Sequence, residues 1–222
     1  MPTYTPPLRD QHFVIHEVLG AVEELKQMPR YADIDAETLN QVLEEAGKFC
    51  AQVLLPLNRS GDEEGCHYDA ANRSVTTPKG FKEAYRQFVD GGWQGLSAEP
   101  EFGGQGLPHL LQVAFYEMQY STNQAFAMYP GLTNGAYECL LRYGTPEQKA
   151  LYLPKLVSGQ WSGTMCLTEP HCGTDLGLLR TKAEPQADGS YKLTGTKIFI
   201  SSGEHDLTEN IVHLVLARLP DA

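Results

Sequence analysis

The chain has 222 residues, of which 41% are hydrophobic and 20% are charged, so it can bury one sizeable core or two modest ones. Its 28 acidic residues outnumber its 17 basic residues, which gives a formal net charge of −11, and the acids are dispersed along the chain. This balance argues against a general affinity for nucleic acid or for an anionic membrane, although it leaves room for a local basic pocket.

The cysteines and the hydropathy of the sequence indicate in which cellular compartment the protein lies. The chain has an odd number of cysteines and no C-x-x-C pair, and its N-terminus lacks the basic and then apolar pattern of a secretion signal. No segment approaches ~18 consecutive apolar residues, so no membrane span is expected. We therefore expect a protein of the reducing cytoplasm. The cysteines are Cys50, Cys66, Cys139, Cys166 and Cys172.

Helical periodicity dominates the first part of the chain, from residue 8 to about residue 158. Apolar residues recur at i, i+3 and i+4 after Asp35, and Pro56 is expected to end that helix. The sequence HYDAANRSVTTPKG is expected to form a long loop. A second helix is predicted between residues 77 and 92, with a stripe of aromatic residues on one face.

Three further helices are predicted before the strands begin. Two of them cover residues 108–123 and 134–143. The third opens at a capping box in GTPEQKALYLPKLVSGQ, where Thr145 and Gln148 satisfy each other's free backbone donors. Pro154 lies inside this stretch and is expected to kink or divide the helix.

The sequence period changes after Gly159. Short segments rich in β-branched and aromatic residues are separated by turn residues such as Asp188-Gly189, which favours antiparallel strands. We therefore predict an α+β fold, in which an all-helical domain is followed by an antiparallel β-domain, with a boundary near residue 160. Because no later strand closes this sheet, we expect the β-domain to be incomplete and the chain to be a fragment. The predicted strands are WSGTMCL, TKAEP, SYKLTG, KIFIS and IVHLVLAR.

Several familiar site patterns are weak in this sequence. The glycine-rich FGGQGLP lies among helical sequence, so a turn into a helix at Pro108 explains it better than a dinucleotide fingerprint does. The sequence contains no Walker-type phosphate loop and no G-x-S-x-G turn for a nucleophile. Cys166, His171 and Cys172, with Glu169, are conceivable metal donors, but their spacing matches no usual zinc pattern, and no metal site is predicted.

The segment MCLTEPHCGTD, which begins in the first predicted strand, offers hydrogen-bond donors. Thr168 and Thr174 carry hydroxyl groups, and Gly173 lets a ligand approach the main chain closely. Such donors suit a ring with carbonyl and imine acceptors, such as a flavin. In GTKIFISSGE, Phe199 and Ser201 are expected on one side of a strand. From these residues alone, a ligand-binding loop and an ordinary strand with a turn explain the pattern about equally well.

The two segments together resemble a known pair. MCLTEPHCGTD followed by LTGTKIFISSGE resembles the two flavin-contacting segments of the acyl-CoA dehydrogenase family, and LLRYGTPEQKALYLPKLVSGQ is similar to the helix before that family's β-domain. The N-terminal MPTYTPPLRDQHFVIHEVL is similar to the extension of the branch that includes 3-methylmercaptopropionyl-CoA dehydrogenases. The resemblance implies an N-terminal extension over residues 1–34, a helical domain over 35–160 and an incomplete middle β-domain over 161–222, without the C-terminal helical bundle.

By this resemblance the protein binds FAD. Thr168 matches a threonine that hydrogen-bonds the isoalloxazine ring, and Ser201 matches a threonine near flavin N5. Phe199 takes the place of a tryptophan that packs on the ring. Thr174 matches a serine near the pyrophosphate and the acyl-CoA. The implied cofactor-binding residues are Met165, Cys166, Leu167, Thr168, Gly173, Thr174, Phe199, Ile200 and Ser201.

The implied reaction is the α,β-dehydrogenation of an acyl-CoA thioester to the enoyl-CoA. Thr174, Tyr129 and Leu132 are the implied substrate-binding residues. The family's general base is a glutamate of the C-terminal bundle that no position here matches, so we expect the chain alone to be inactive and to hold FAD weakly. The implied acceptor of electrons is an electron-transfer flavoprotein, and the full-length protein is expected to be a homo-oligomer in fatty acid metabolism.

Two other functions remain open at this stage. A non-catalytic module that binds acyl-CoA or a partner protein could use the same helices and strands. An acyl-CoA oxidase shares the fold and differs in how O2 reaches the reduced flavin, and no residue of the chain separates it from a dehydrogenase.

Overall fold

The computed structural model describes residues 3–220; residues 1, 2, 221 and 222, at the ends of the predicted extension and β-domain, lie outside the described range. In the described residues the α-helices all end by Val157, and the strands lie beyond them except for one short hairpin, so the predicted α+β class is confirmed. The helices are α1 (Leu8–His12), α2 (Ala21–Lys26), α3 (Ala36–Phe49), α4 (Leu55–Glu64), α5 (Phe81–Asp90), α6 (His109–Tyr143) and α7 (Pro146–Val157). The strands are β1 (His67–Asp69), β2 (Ser74–Thr76), β3 (Trp161–Cys166), β4 (Lys182–Pro185), β5 (Tyr191–Thr194) and β6 (Asn210–Val215).

α3 and α4 form one continuous helical segment, joined by a π-helical turn over Cys50–Leu54. Asp35 caps the start of α3, where its carboxylate accepts the Thr38 N–H at 2.8 Å. The prediction that Pro56 ends this helix is wrong. Pro56 is the second residue of α4, directly after the π-helical turn, and the helix continues through it to Glu64.

α6 unites the two helices predicted over residues 108–123 and 134–143 into one long helix with a kink. At the kink, Asn123 has φ −157° and ψ 85°, outside the helical range. Its side chain donates to the Leu54 carbonyl at 3.2 Å and accepts the Phe126 N–H at 2.9 Å, so it caps the second limb of α6. Within residues 3–220, neither α6 nor any other helix combines the length and the apolar character needed to cross a bilayer.

Helices are present at the other two predicted places, although α5 begins at Phe81, four residues after the predicted start. α5 buries the predicted stripe of aromatic residues. α7 begins at the predicted capping box, in which the Gln148 N–H donates to Thr145 Oγ1 and the Thr145 N–H donates to the Gln148 side chain. Pro154 does not divide this helix, which continues to Val157.

Aromatic side chains fill the centre of the helical part. The Phe115 ring lies 4.7 Å from the Trp93 ring and 6.3 Å from the Phe88 ring, between centroids. Phe126, on the second limb of α6, lies 6.1 Å from Phe88. Burying each such ring contributes about 2 kcal/mol to the free energy of folding. α5 and both limbs of α6 are therefore tightly packed together, and β3 packs against α6.

Within the described part of the chain, the strands form three two-stranded ladders. β1 and β2 make a small antiparallel hairpin within the predicted long loop, so the helical part is not all-helical as predicted. β4 and β5 pair antiparallel around the predicted turn, where Gly189 has φ +83°. β3 and β6 pair in parallel, with Trp161 opposite Asn210, which corrects the expectation of antiparallel strands throughout. The hairpin β4–β5 lies between them in the sequence, within the long crossover that a parallel pair needs.

The segment KIFIS is not a strand, contrary to the prediction. Phe199 has φ +59° and Ser202 has φ +57°, left-handed values that residues other than glycine adopt rarely. Two such residues three positions apart break the alternating geometry of a strand. Phe199 and Ser201 therefore do not share a strand face, and residues 196–204 form a loop.

β3 packs directly against the second limb of α6, and Gly163 makes this approach possible. A Cβ atom at Gly163 would lie 2.4 Å from the Ala136 Cβ, closer than atoms can come. The Gly163 N–H also donates to Thr133 Oγ1 at 3.2 Å. This contact fixes β3, and hence the loop after it, relative to the helices.

Gly163→Ala should destabilise the protein by roughly 1–3 kcal/mol, because the new methyl group forces strand and helix apart. The matched control is Gly135→Ala on the same limb of α6, where a Cβ meets no atom within 4 Å. The control should stabilise the helix by roughly 0.5–1 kcal/mol, as alanine does in a helix interior. Urea unfolding followed by circular dichroism measures both, and equal effects of the two changes would contradict the packing described.

His205 is buried between the strands and the helices, with 4% of its surface exposed. Its Nδ1 accepts the Leu207 N–H at 3.2 Å, so the ring proton lies on Nε2, which donates to Ser162 Oγ at 3.0 Å. In this tautomer His205 cannot act as a base toward Ser162. Burial lowers the pKa of His205 to about 4; nearby Asp206 opposes this shift and His213 adds to it.

Acid should destabilise the fold through His205. Between pH 6.5 and about 4 the unfolded chain binds a proton at His205 that the folded chain excludes, so this stability is fully present above pH 6.5 and is lost as the pH falls. The loss amounts to at most about 3 kcal/mol. His205→Gln removes the titrating ring, so unfolding free energies measured in urea from pH 7.5 to pH 4 should fall less steeply. A variant whose pH dependence equals that of the wild type would rule out His205 as the responsible group.

Candidate functional site

Two loops lie side by side beyond the end of β3. The first loop covers residues 167–175, and the second loop covers residues 196–204. The Ile198 N–H donates to the Thr168 carbonyl at 2.9 Å. Lys197 Nζ donates to another main-chain carbonyl of the first loop at 2.8 Å. The structure therefore brings together the two segments that the sequence singled out separately.

Glu169 connects both loops to a third segment. Lys197 Nζ lies 2.9 Å from Glu169 Oε1, and these side chains are 10% and 3% exposed. The N–H groups of Arg180 and Thr181 donate to the same carboxylate at 2.7 and 2.9 Å. The Thr181 side chain, the Lys197 ammonium and these two N–H groups hold the pKa of Glu169 well below its usual range, although burial acts in the opposite direction. Glu169 is therefore charged at neutral pH, and its oxygens are already engaged.

Glu169, His171 and Cys172 bring a carboxylate oxygen, an imidazole nitrogen and a thiol within 4.8 Å of one another. His171 Nε2 lies 3.0 Å from the Leu178 carbonyl oxygen, so this nitrogen carries a proton. A metal ion here would displace that bond and those that Glu169 already accepts. The closeness of the three residues follows instead from a tight turn, in which Glu169 and Cys172 exchange N–H to carbonyl bonds of 2.8 and 3.1 Å.

The residues of the first loop differ in their exposure to solvent. Thr168 is half-buried, and a Cβ atom at Gly173 would lie 3.3 Å from the Thr168 methyl group, so the glycine keeps this part of the loop narrow. Thr174 is exposed. Leu167 is half-buried, while Cys166 has a buried thiol and a carbonyl that accepts a main-chain hydrogen bond. Of the two hydroxyl-bearing residues of the loop, Thr174 is therefore exposed and Thr168 is half-buried.

The second loop holds a large aromatic side chain in the open. Phe199 is 86% exposed, and Met165 at the end of β3 is 37% exposed. Ile200 is half-buried, and Ser201 is exposed. A phenylalanine ring this free of protein contacts is an apolar surface available to a ligand.

Tyr129 and Leu132 lie on the second limb of α6, outside both loops. The Tyr129 ring meets the His205 ring edge-on, with centroids 5.0 Å apart, and His205 directly follows the second loop. Burial raises the pKa of Tyr129. This residue also borders a groove of about 740 Å³ that Met128 and Cys66 help to line. Leu132 is half-buried.

Lys197, His205 and Asp206 were not among the site residues predicted from the sequence. Lys197 directly precedes three apolar residues, and a lysine beside such a run is seldom buried unless an acid pairs with it. That signal, with Glu169 as the nearby acid of the first loop, could be read from the sequence. His205 and Asp206 give no such signal because their partners lie far away in the chain.

Known proteins resemble the chain in sequence and in fold. A family model described as "Acyl-CoA dehydrogenase, N-terminal domain" matches residues 36–160. The 3-methylmercaptopropionyl-CoA dehydrogenase of Ruegeria pomeroyi is 49% identical over 220 residues, which cover 99% of this chain and 37% of that protein. The chain therefore spans little more than a third of the length of this curated relative.

Two solved structures share the arrangement of helices and strands. The butyryl-CoA dehydrogenase from Megasphaera elsdenii matches with a TM-score of 0.68 and 27% identity, over 83% of this chain and 45% of that one. An acyl-CoA dehydrogenase from Bacillus anthracis, complexed with FAD, matches with a TM-score of 0.66 and 25% identity, over 85% of this chain and 30% of that one. Because the matching family model covers more than half of the residues, the chain belongs to the acyl-CoA dehydrogenase family.

Proposed function

We propose that the complete protein carrying this chain is an FAD-dependent acyl-CoA dehydrogenase, which oxidises an acyl-CoA thioester to the enoyl-CoA. The observation that carries the proposal is the pairing of the two loops through Glu169 and Lys197. This pairing sets Thr168 beside the backbone that presents the uncovered Phe199 ring. The named activities of the relatives and the FAD in one of the matching structures support it.

The proposal includes a division of the chain into three parts. Residues 1–34 form an N-terminal extension, residues 35–160 the N-terminal helical domain, and residues 161–222 part of the middle β-domain. The family match over residues 36–160 supports this division, as does the change from α7 to β3.

The two loops fit a flavin ring in their chemistry. The ring has flat apolar faces and an edge of acceptor atoms, so it needs an aromatic contact and hydrogen-bond donors. Phe199 offers the contact, and the hydroxyl groups of Thr168 and Ser201 offer the donors from adjacent loops. Near Gly173 the main chain is open to a phosphate. The proposed cofactor-binding residues are Met165, Cys166, Leu167, Thr168, Gly173, Thr174, Phe199, Ile200 and Ser201.

When bound, FAD supplies the two-electron acceptor of the reaction. This chain would hold the flavin ring in place. The hydroxyl groups of Thr168 and Ser201 would orient the ring and stabilise negative charge on it. The carboxylates of the first loop are engaged elsewhere: Glu169 binds Lys197, and Asp175 accepts a main-chain N–H at 3.0 Å. Since no position of this chain matches the general-base glutamate of the family, we place the base in a part of the complete protein outside this chain.

The proposed substrate is an acyl-CoA, contacted by Thr174, Tyr129 and Leu132. The groove beside Tyr129 has a volume of about 740 Å³, within the usual range for a small-molecule site, which supports this assignment. We propose an electron-transfer flavoprotein as the partner that accepts the electrons, a homo-oligomer as the assembled state, and a role in fatty acid metabolism. All five cysteines are free, in support of the reducing cytoplasm as location.

The complete protein should purify with FAD, and an acyl-CoA added without oxygen should bleach the flavin absorbance as the ring is reduced. A panel of acyl-CoA thioesters of different length, assayed with a dye acceptor, measures turnover and chain preference. Acyl-CoA binding without bleaching would instead identify a binding module. Turnover that produces hydrogen peroxide in air would identify an oxidase.

Phe199→Ala should weaken FAD binding roughly three- to tenfold, because the ring loses its aromatic contact. The matched control is Tyr191→Ala, which removes an aromatic side chain that is 55% exposed on β5, outside both loops. FAD titration of the apoprotein, followed by flavin fluorescence, measures both dissociation constants. Equal constants for the wild type and Phe199→Ala would show that the second loop does not contact the flavin.

A further inference from the structure

We propose that Asp206, together with His205, is a positioning residue that fixes the second loop from the helical part of the protein. These residues belong to a segment, residues 205–209, that we call the clasp. The inference rests on the proposed function in one respect, which is that the second loop contacts the flavin. Whether the clasp holds the second loop does not depend on whether that loop contacts the flavin.

The second loop is secured at its start by the first loop. Lys197 reaches the buried Glu169 carboxylate, and the Ile198 N–H donates to the Thr168 carbonyl. Both contacts lie before Phe199 in the chain. They fix where the loop begins and leave the direction of its remaining residues open.

The middle of the loop has an unfavourable backbone. Phe199 and Ser202 both have left-handed φ values although neither is glycine. Inside the loop the Gly203 N–H donates to the Ile200 carbonyl at 3.2 Å, which closes a tight turn. A conformation of this kind persists only where the surrounding structure holds it. The start of the loop supplies one such restraint, so a second one is required after Gly203.

Asp206 supplies that restraint through three bonds, two to Thr77 in the segment before α5 and one to Lys82 in the first turn of α5. Its Oδ1 accepts the Thr77 N–H at 3.0 Å and the Thr77 hydroxyl at 2.7 Å. Its Oδ2 lies 2.8 Å from Lys82 Nζ. The Asp206 side chain is 23% exposed, so water competes for these bonds only in part.

His205 and Glu209 extend the clasp to β3 and α6. His205 donates to Ser162 on β3 and meets the Tyr129 ring on α6 edge-on. Glu209 and Gln160 exchange two bonds, of 3.1 Å between main-chain atoms and 2.7 Å between side chains. The clasp thus connects Tyr129, a proposed substrate residue, to the loop that carries Phe199. Asp206 is the charged member that joins this connection to α5.

The first experiment uses the 222-residue chain and amide hydrogen exchange. Asp206→Ala should accelerate exchange at the Gly203 N–H roughly tenfold, because the turn opens when its downstream end is released. The Leu216 N–H, which donates to the Cys166 carbonyl at 3.1 Å, should exchange at the wild-type rate. Asp206→Asn keeps an oxygen for Thr77 but loses the charge, so its Gly203 rate should be intermediate.

The matched control is Asp188→Ala. Asp188 also accepts a backbone N–H and a hydroxyl, both from Ser190, at 2.9 and 2.6 Å, but within the β4–β5 turn. This control should leave exchange at Gly203 unchanged. Unchanged exchange at Gly203 in Asp206→Ala would overturn the proposal, and so would equal acceleration at Gly203 and Leu216, which indicates general destabilisation.

The second experiment uses the FAD-loaded complete protein. Asp206→Ala should weaken FAD binding severalfold and shift the visible flavin spectrum, with Asp206→Asn between it and the wild type. Faster exchange at Gly203 with unchanged affinity and spectrum would overturn the positioning role. If the wild-type complete protein binds no FAD, the proposed function fails, and the exchange pattern alone then decides whether the clasp holds the loop.

Discussion

A buried ion pair between Glu169 and Lys197 holds together the part of the chain that follows the helices. Its carboxylate also accepts the N–H groups of Arg180 and Thr181, so three segments that are separate in the sequence share one acceptor. A charge at this depth is tolerated only when it is paired and hydrogen-bonded. Each of the three segments is therefore needed for the other two to be stable, and the two loops cannot move apart without exposing or stranding a charge.

The position of this ion pair depends in turn on the helices. β3 lies against α6 because Gly163 removes the side chain that would separate them, and α6 is fixed by the aromatic rings around Phe115. The kink at Asn123 gives the second limb of α6 its own start, bound to the Leu54 carbonyl. A packing change in the helical part would therefore reach the loops through β3, over contacts between backbones that leave little room for adjustment.

The sequence predicted correctly those parts of the fold that depend on hydrogen bonds between residues close together in the chain. The capping box at Thr145 and the glycine turn near Gly189 involve neighbours in the sequence, and both were predicted. The π turn before Pro56 and the parallel pairing of β3 with β6 depend on remote packing, which periodicity cannot show. The same limit applies to the candidate site. The polar residues of the first loop were visible in the sequence, but the second loop was predicted as a strand, and the bonds of Asp206 to Thr77 left no pattern in the sequence.

The exposed position of the Phe199 ring depends on contacts made elsewhere in the structure. A free loop would fold a phenylalanine onto its neighbours, since leaving the ring in water costs about 2 kcal/mol. Here the ring stays 86% exposed on a backbone with φ +59°. Buried polar contacts on either side prevent the collapse: those of Glu169 before the ring and those of His205 after it. A surface held open in this way loses little conformational entropy when a flat ligand binds to it. The buried polar groups beneath the loops therefore matter for binding as well as for folding.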